Sequence, residues 1–205
     1  MTNRLFITFE GIEGAGKSTQ VELLAEYFRK IGKEVITTHE PGGTDFGKQI
    51  REILLETNIN LESLSEFLLF CADRKEHVEK LIKPALGKGK IVICDRFVDS
   101  SRAYQIGAKN LDKKLVEQLI DWTTGNIKPD LTIFLDVPVE VGLERRRKIY
   151  HNRFDNLEIS FYKKVRQYYL KLSQNNNHWL VLDGQKSETK IFDQIKIELA
   201  KKGFL

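Results

Sequence analysis

The chain has 205 residues, 41% hydrophobic and 30% charged, a size and balance that point to one packed domain and exclude disorder. Its 33 Lys and Arg against 29 Asp and Glu leave a net charge of +4, too small an excess to mark a nucleic-acid binder. No apolar run approaches the roughly 20 residues that cross a bilayer, and Cys71 and Cys94, both in apolar surroundings, read as reduced core thiols of a cytoplasmic protein.

Short apolar runs alternate with helix-length amphipathic segments. Leu5–Phe9 predicts a strand. Thr19–Ile31, with Val21, Leu24, Phe28 and Ile31 on one side, predicts a helix that Gly32 stops. Residues 34–38 give a second strand, followed by the turn-rich loop His39-Glu-Pro-Gly-Gly-Thr44. Residues 45–56 read as a helix, and 61–86 as one long helix with Pro84 near its end. Ile91–Cys94 is continuously apolar, as in a strand buried on both faces of a parallel sheet. A helix over 111–124, a strand Leu131–Leu135 and helices over 139–148 and 160–173 follow, then a strand Trp179–Leu182 and a helix over 188–202. Five strands separated by helices mean βαβ units. The expectation is an α/β fold in three layers, with a five-stranded parallel sheet flanked by helices in a single domain over 1–205. In such sheets ligands gather at the carboxyl ends of the strands.

The informative residues do follow strands. Gly11-Ile12-Glu13-Gly14-Ala15-Gly16-Lys17-Ser18 matches G-x-x-x-x-G-K-[ST] between a strand and a helix, the context the phosphate-binding loop requires. Its glycines let backbone N–H groups point at phosphate oxygens, and the helix N-terminus adds partial positive charge. Lys17 supplies a full charge for the β and γ phosphates, and Ser18 a hydroxyl for Mg²⁺. Asp95, at the end of the Ile91–Cys94 strand, is either a Mg²⁺ partner or a plain surface carboxylate. Arg51, Arg74, Arg96 and the run Arg145, Arg146, Arg147 and Lys148, with Arg153 nearby, would suit an anionic co-substrate. A solvated helix face accounts for one or two of them, whereas the run near 145 could instead form a flap that closes over two phosphates. Phe70 and Arg74, four apart, share a helix face and can stack on a base and bond its edge. Spacing alone reads Phe70 as core, since Leu64, Phe67, Leu68 and Cys71 surround it. On the residues alone two alternatives stay open. One is another small-molecule P-loop kinase; the other is a nucleic-acid-dependent ATPase, for which a long basic stretch interleaved with aromatics is missing.

The chain resembles the bacterial thymidylate kinases along nearly all its length. The resemblance rests on Phe9-Glu-Gly-Ile-Glu-Gly-Ala-Gly-Lys-Ser18, Glu40-Pro-Gly-Gly-Thr44, Leu69-Phe-Cys-Ala-Asp-Arg74, Asp95-Arg-Phe-Val-Asp-Ser-Ser-Arg-Ala-Tyr-Gln105, Pro129-Asp-Leu-Thr-Ile-Phe-Leu-Asp136 and Asn152-Arg-Phe-Asp155. It implies a P-loop NTPase fold with a lid at about 145–157, and transfer of the ATP γ-phosphate to dTMP. The loop from Gly11 to Ser18, with Thr19, would hold ATP, and Ser18 and Asp95 would hold Mg²⁺. Phe70 would stack on thymine, Arg74 would bond its carbonyl edge, and Ser101 and Gln105 would read the rest. Tyr104 would pack under the deoxyribose, Arg96 and Arg51 would hold the dTMP phosphate, and Glu40 belongs to the same substrate site. Glu13 would approach the 3′-hydroxyl or the metal in an orienting role, because the attacking phosphate oxygen is already ionised and needs no base. With glycine at Gly14, the resemblance is to members that supply the catalytic arginine from the lid rather than from the P-loop. Arg147 is the candidate for that role, and Arg153 the anchoring partner on the same segment. A homodimer in the cytoplasm is implied, with the apolar side of the 61–86 helix as its interface and no nucleic-acid or membrane partner.

Two departures stand out. His39 takes the place of the usual Arg before Glu-Pro-Gly-Gly, and a neutral imidazole cannot stand in for a permanent guanidinium. Asp73 occupies a position where a small residue is common, and could pair with or orient Arg74.

Overall fold

The structure, a computed structural model, describes residues 4–56, 59–147, 158–174 and 176–205. Strands β1 (Leu5–Glu10), β2 (Val35–His39), β3 (Ile91–Asp95), β4 (Leu131–Asp136) and β5 (Trp179–Asp183) form one parallel sheet in the order β2-β3-β1-β4-β5. Helices α1 (Lys17–Lys30), α2 (Asp45–Leu55), α3 (Ser63–His77), α6 (Lys113–Thr124), α8 (Ile159–Ser173) and α9 (Glu188–Lys201) cover its faces, joined by the short α4 (Lys83–Gly87), α5 (Val98–Ser101) and α7 (Val139–Arg147). The expected three-layer P-loop fold with five parallel strands is the fold observed. Among the described residues no helix is long and apolar enough to cross a membrane.

The sheet is central because β1, β3 and β4 are mostly apolar, with their acidic residues only at the carboxyl ends, so each can be buried on both faces. Alternation sends Leu5, Ile7 and Phe9 into one core with Leu24 and Phe28 of α1 and Ile195 of α9. It sends Phe6 into a second core with Phe67 of α3 and Val116 and Ile120 of α6. Local signals bound the helices. The Thr44 and Asp112 side chains accept the Gly47 and Leu115 N–H groups at the starts of α2 and α6, and Gly125 closes α6 in the left-handed conformation.

Two segments depart from expectation. The predicted helix over 61–86 is interrupted: α3 runs into a π-helical turn, Val78–Ile82, before α4. Pro84 has no N–H and would press its ring on the carbonyl four residues back, and the wider turn just before it relieves both problems. The periodicity assigns no element to residues 98–108, and only the resemblance sets Ser101 and Gln105 a helical turn apart. Residues 98–108 form α5 and a second π-helical stretch, Arg102–Ala108. Ser100, Ser101 and Gly107 weaken the local helix preference, and tertiary packing overrides it. A Cβ on Gly107 would fall 2.6 Å from the Cβ of Tyr168, so only glycine allows α8 to lie this close.

The register places the site. Phe9 and His39 both pair with Asp95, so β1, β2 and β3 end level with one another. The chain leaves β1 past β3 to β2 and leaves β3 past β1 to β4, so the connections of these adjacent strands run to opposite sides, which opens a crevice at the carboxyl edge.

Candidate active site

The loop after β1 turns on Gly11, Gly14 and Gly16, all at positive φ. Gly14 is also a steric requirement, because a Cβ there would run into the carbonyl oxygen of Gly142 in α7. Lys17, at the start of α1, is buried and donates to the Gly11 and Ile12 carbonyl oxygens at 3.2 and 3.0 Å. Burial, and after it the Arg96 charge, pushes its ammonium down to about 8 from the ordinary 10.5. Ser18 Oγ donates to Asp95 Oδ2 at 3.1 Å. The other Asp95 oxygen is buried with no hydrogen-bond partner among the described residues. Ala15, Gly16, Ser18 and Thr19 line the cleft, while the Ile12 side chain belongs to the core.

Arg96 follows β3 in the left-handed conformation, φ 71°, which costs a non-glycine residue about 1–2 kcal/mol. Its guanidinium donates to the Gly11 carbonyl at 2.9 Å and to Glu13 Oε1 at 3.1 Å, and lies 5.4 Å from the centre of the Tyr104 ring. Tyr104 donates its hydroxyl to the other Glu13 oxygen at 2.7 Å. Burial opposes the Glu13 charge, but Arg96, then Lys17 and Arg146, hold the carboxyl below its ordinary range.

A second cluster joins segments far apart in sequence. Arg74 of α3 is buried and donates through Nε to Glu40 Oε2 at 2.8 Å and through Nη2 to Ser101 Oγ at 2.9 Å. Its Nη1 is buried without a partner among the described residues, although Arg74 lines the cleft. The other Glu40 oxygen meets Nδ1 of the buried His77 at 3.0 Å, and Nε2 of that ring meets Thr38 Oγ1 at 2.7 Å. Asp73 does not bond Arg74. Its Oδ1 accepts the Gly42 N–H at 3.0 Å, and burial, with the Glu40 charge next, raises its carboxyl to about 6. Phe70 serves both readings, packing against the core while lining the cleft. Arg51 lines the cleft and donates to the Pro41 carbonyl at 2.8 Å, and Gln105 reaches Glu66 at 3.4 Å. Desolvation and then the Arg51 charge hold the His39 imidazole below its ordinary value, so it is neutral at pH 7.

At the far side, α7 brings Arg145 and Arg146 to the cleft. Arg145 donates to the Gly184 carbonyl at 2.9 Å, and the buried Arg146 to the Tyr162 hydroxyl at 3.2 Å. Arg147 is exposed and is not among the described residues that line the cleft. Arg153 and most of the expected lid, residues 148–157, lie outside the described residues. Sequence reasoning missed His77, Glu10 and the turn after β5, where Gly184, Lys186 and Glu188 line the cleft. The rule that ligands collect at strand carboxyl ends, applied to β5, would have found that turn.

These residues surround one continuous cleft of about 1250 Å³, with the P-loop at one end and Phe70, Arg74 and Gln105 at the other. Arg96 bridges the two ends. The family model described as thymidylate kinase matches residues 9–195. The thymidylate kinase of Thermosipho africanus is 46% identical over 192 residues, covering 94% of this chain and 96% of its own. That of Halothermothrix orenii is 47% identical over 195 residues, covering 93% and 94%. The crystal structure of the thymidylate kinase from Ehrlichia chaffeensis superposes with a TM-score of 0.79 at 38% identity, covering 96% of this chain and 98% of that one.

Proposed function

The chain belongs to the thymidylate kinase family, and from that premise we propose that its cleft transfers the γ-phosphate of ATP to dTMP, giving dTDP and ADP. The observation that carries this reading is Arg96, whose guanidinium touches the phosphate loop at Gly11 and Glu13 while lying over Tyr104 toward the nucleoside end.

Phosphoryl transfer spreads charge over the equatorial oxygens, so the protein has mainly to align two anions and neutralise them. Lys17 exchanges its loop carbonyls for the β and γ phosphate oxygens. Arg96, with Arg51, holds the acceptor phosphate. The unpartnered Nη1 of Arg74 bonds the thymine edge, with Glu40 fixing the other side of the guanidinium. Phe70 stacks on the base, Ser101 and Gln105 complete its edge, and Tyr104 packs under the sugar. Glu13, held ionised, orients groups at the 3′-hydroxyl and removes no proton. Ser18 and Asp95 are hard oxygen donors, and the free buried Asp95 oxygen fits a role toward Mg²⁺. When bound, that ion neutralises phosphate charge. Among the arginines of α7, Arg146 lines the cleft and acts on Glu13, so it joins Arg147 as the candidate for stabilising the transferring group. The segment 145–157 is the lid in this reading.

A coupled ADP-release assay with ATP and Mg²⁺ tests the assignment on dTMP, dUMP, dGMP and thymidine. dTMP should lead and dUMP should follow by a modest factor, since one methyl in an apolar pocket is worth about 1–3 kcal/mol. Turnover of another acceptor with dTMP untouched would leave only the triphosphate pocket. A homodimer is supported by Leu68 on α3 and Trp122 on α6, both exposed on helices that pack together; light scattering reads its mass. The free buried thiols of Cys71 and Cys94 suit the reducing cytoplasm.

A further inference from the structure

We propose that Glu10 is a positioning residue for Arg96, holding both its main chain and its guanidinium so that the charge is presented to the acceptor phosphate. The inference rests on the reading of Arg96 as the phosphate-binding group.

Glu10 is the last residue of β1, fully buried, and not among the described residues that line the cleft. It therefore touches no substrate in the reading above. What it touches is the scaffold of Arg96. A left-handed arginine persists only if its neighbours over-determine it. Here three bonds do so: the Arg96 N–H donates to the Phe9 carbonyl at 2.9 Å, the Cys94 thiol donates to the Arg96 carbonyl at 2.9 Å, and the next N–H, of Phe97, donates to Glu10 Oε1 at 2.9 Å. Only the last is supplied by a carboxyl group.

The second carboxylate oxygen acts on the other end of the arginine. Glu10 Oε2 accepts from Ser100 Oγ at 2.6 Å and from the Tyr169 hydroxyl at 2.9 Å. Ser100 Oγ in turn accepts from Arg96 Nη1 at 3.1 Å, and the Tyr169 oxygen stands 3.4 Å from the same nitrogen. One carboxylate thus orients the hydroxyls of α5 and α8 so that their lone pairs face the guanidinium. Burial, and after it the Asp99 charge, raises this carboxyl from the ordinary 4.5 to about 7, so near neutral pH its ionised and protonated forms both occur. In the ionised form its bonds are stronger than neutral ones and fix direction as well as distance.

The test measures dTMP and thymidine binding by calorimetry, because only dTMP carries the phosphate that Arg96 holds. Glu10→Ala should weaken dTMP binding about tenfold or more while thymidine binding stays within about twofold. Glu10→Gln keeps an oxygen for the Phe97 N–H but puts an NH2 where the Ser100 and Tyr169 hydroxyls donate, so its dTMP affinity should fall between those of the parent and Glu10→Ala. Tyr169→Phe, which removes one donor, should lower the ratio of dTMP to thymidine affinity by about threefold. An unchanged ratio in Glu10→Ala, or equal weakening of both ligands, overturns the proposal. If Glu10→Ala does not fold, Tyr169→Phe decides: an unchanged ratio there overturns it. A parent protein that binds dTMP no better than thymidine overturns the Arg96 reading and this proposal with it.

Discussion

Lys17 is desolvated and lies near Arg96, so its ammonium loses its proton from about pH 8 upward when no phosphate is bound. Phosphate binding requires the charged form. The KM for ATP should therefore rise by about tenfold between pH 7 and pH 9, while that for dTMP, which faces arginines, stays flat. Steady-state kinetics across that range would show it, and parallel rises in both constants would dissociate Lys17 from the effect. Asp73 gives a stability prediction of definite sign. Its folded value of about 6 lies above the ordinary 3.8, so the folded chain holds this proton more tightly than the unfolded one. The stability it contributes is full below about pH 4 and is lost as pH rises through 6. Asp73→Asn keeps an acceptor for the Gly42 N–H and has no charge to bury. Its advantage over the parent should grow between pH 5 and pH 8 to the order of 1–2 kcal/mol in urea unfolding, the unpartnered amide nitrogen taking some of the gain. The two departures noted in the sequence thus find different surroundings: Asp73 ties down the Gly42 turn, and His39 stays neutral beside Arg51. The phosphate loop was legible because its chemistry is written in eight adjacent residues. The Glu40–Arg74 pair was not, because it joins positions 34 apart, and Glu10, just past the predicted strand Leu5–Phe9, carried no role of its own.

Helix α7 ends among three arginines, of which the resemblance singles out Arg147. The structure separates them, with Arg146 turned to the cleft and Arg147 to solvent. If Arg146 stabilises the transferring group, Arg146→Ala should lower kcat by about a hundredfold or more while Arg147→Ala stays within a few-fold. The reverse order in single-turnover measurements would return the role to Arg147. The π-helical stretch Arg102–Ala108 matters as a platform, since it presents Tyr104 and Gln105 to the cleft and rests on α8 through Gly107. Gly107→Ala gains up to about 1 kcal/mol of helix preference but forces Tyr168 away, a cost of about 1–3 kcal/mol. The overpacking should win, lowering the melting temperature and raising the KM for dTMP more than that for ATP. Periodicity missed this platform because its serines and glycine argue against a helix, and only the resemblance set Ser101 and Gln105 a turn apart, whereas the apolar strands announced themselves. Pro84 marked the end of the long helix correctly but gave no sign of the widened turn before it.

At the scale of the molecule, the segments that follow all five strands contribute to one cleft, from Glu40 after β2 to Gly184 after β5, with α7 supplying the part that follows β4. Ligands that fill it bind the folded chain and not the unfolded one. At about a hundred times its dissociation constant, each should add roughly 2.7 kcal/mol, or about 5–10 °C in melting temperature for a chain of this size. Thermal melts with dTMP alone, ATP alone and both together would show whether the two halves of the cleft report separately. The topology also sets limits on change. Because the Gly142 carbonyl sits where any side chain at position 14 would begin, this lineage could not acquire an arginine in its phosphate loop by a single substitution there. Helix α7 would first have to be displaced. The order of events in divergence would then be fixed by sterics, with the neighbouring helix shifting before the new cation appears, and ancestral sequences can be examined for that order.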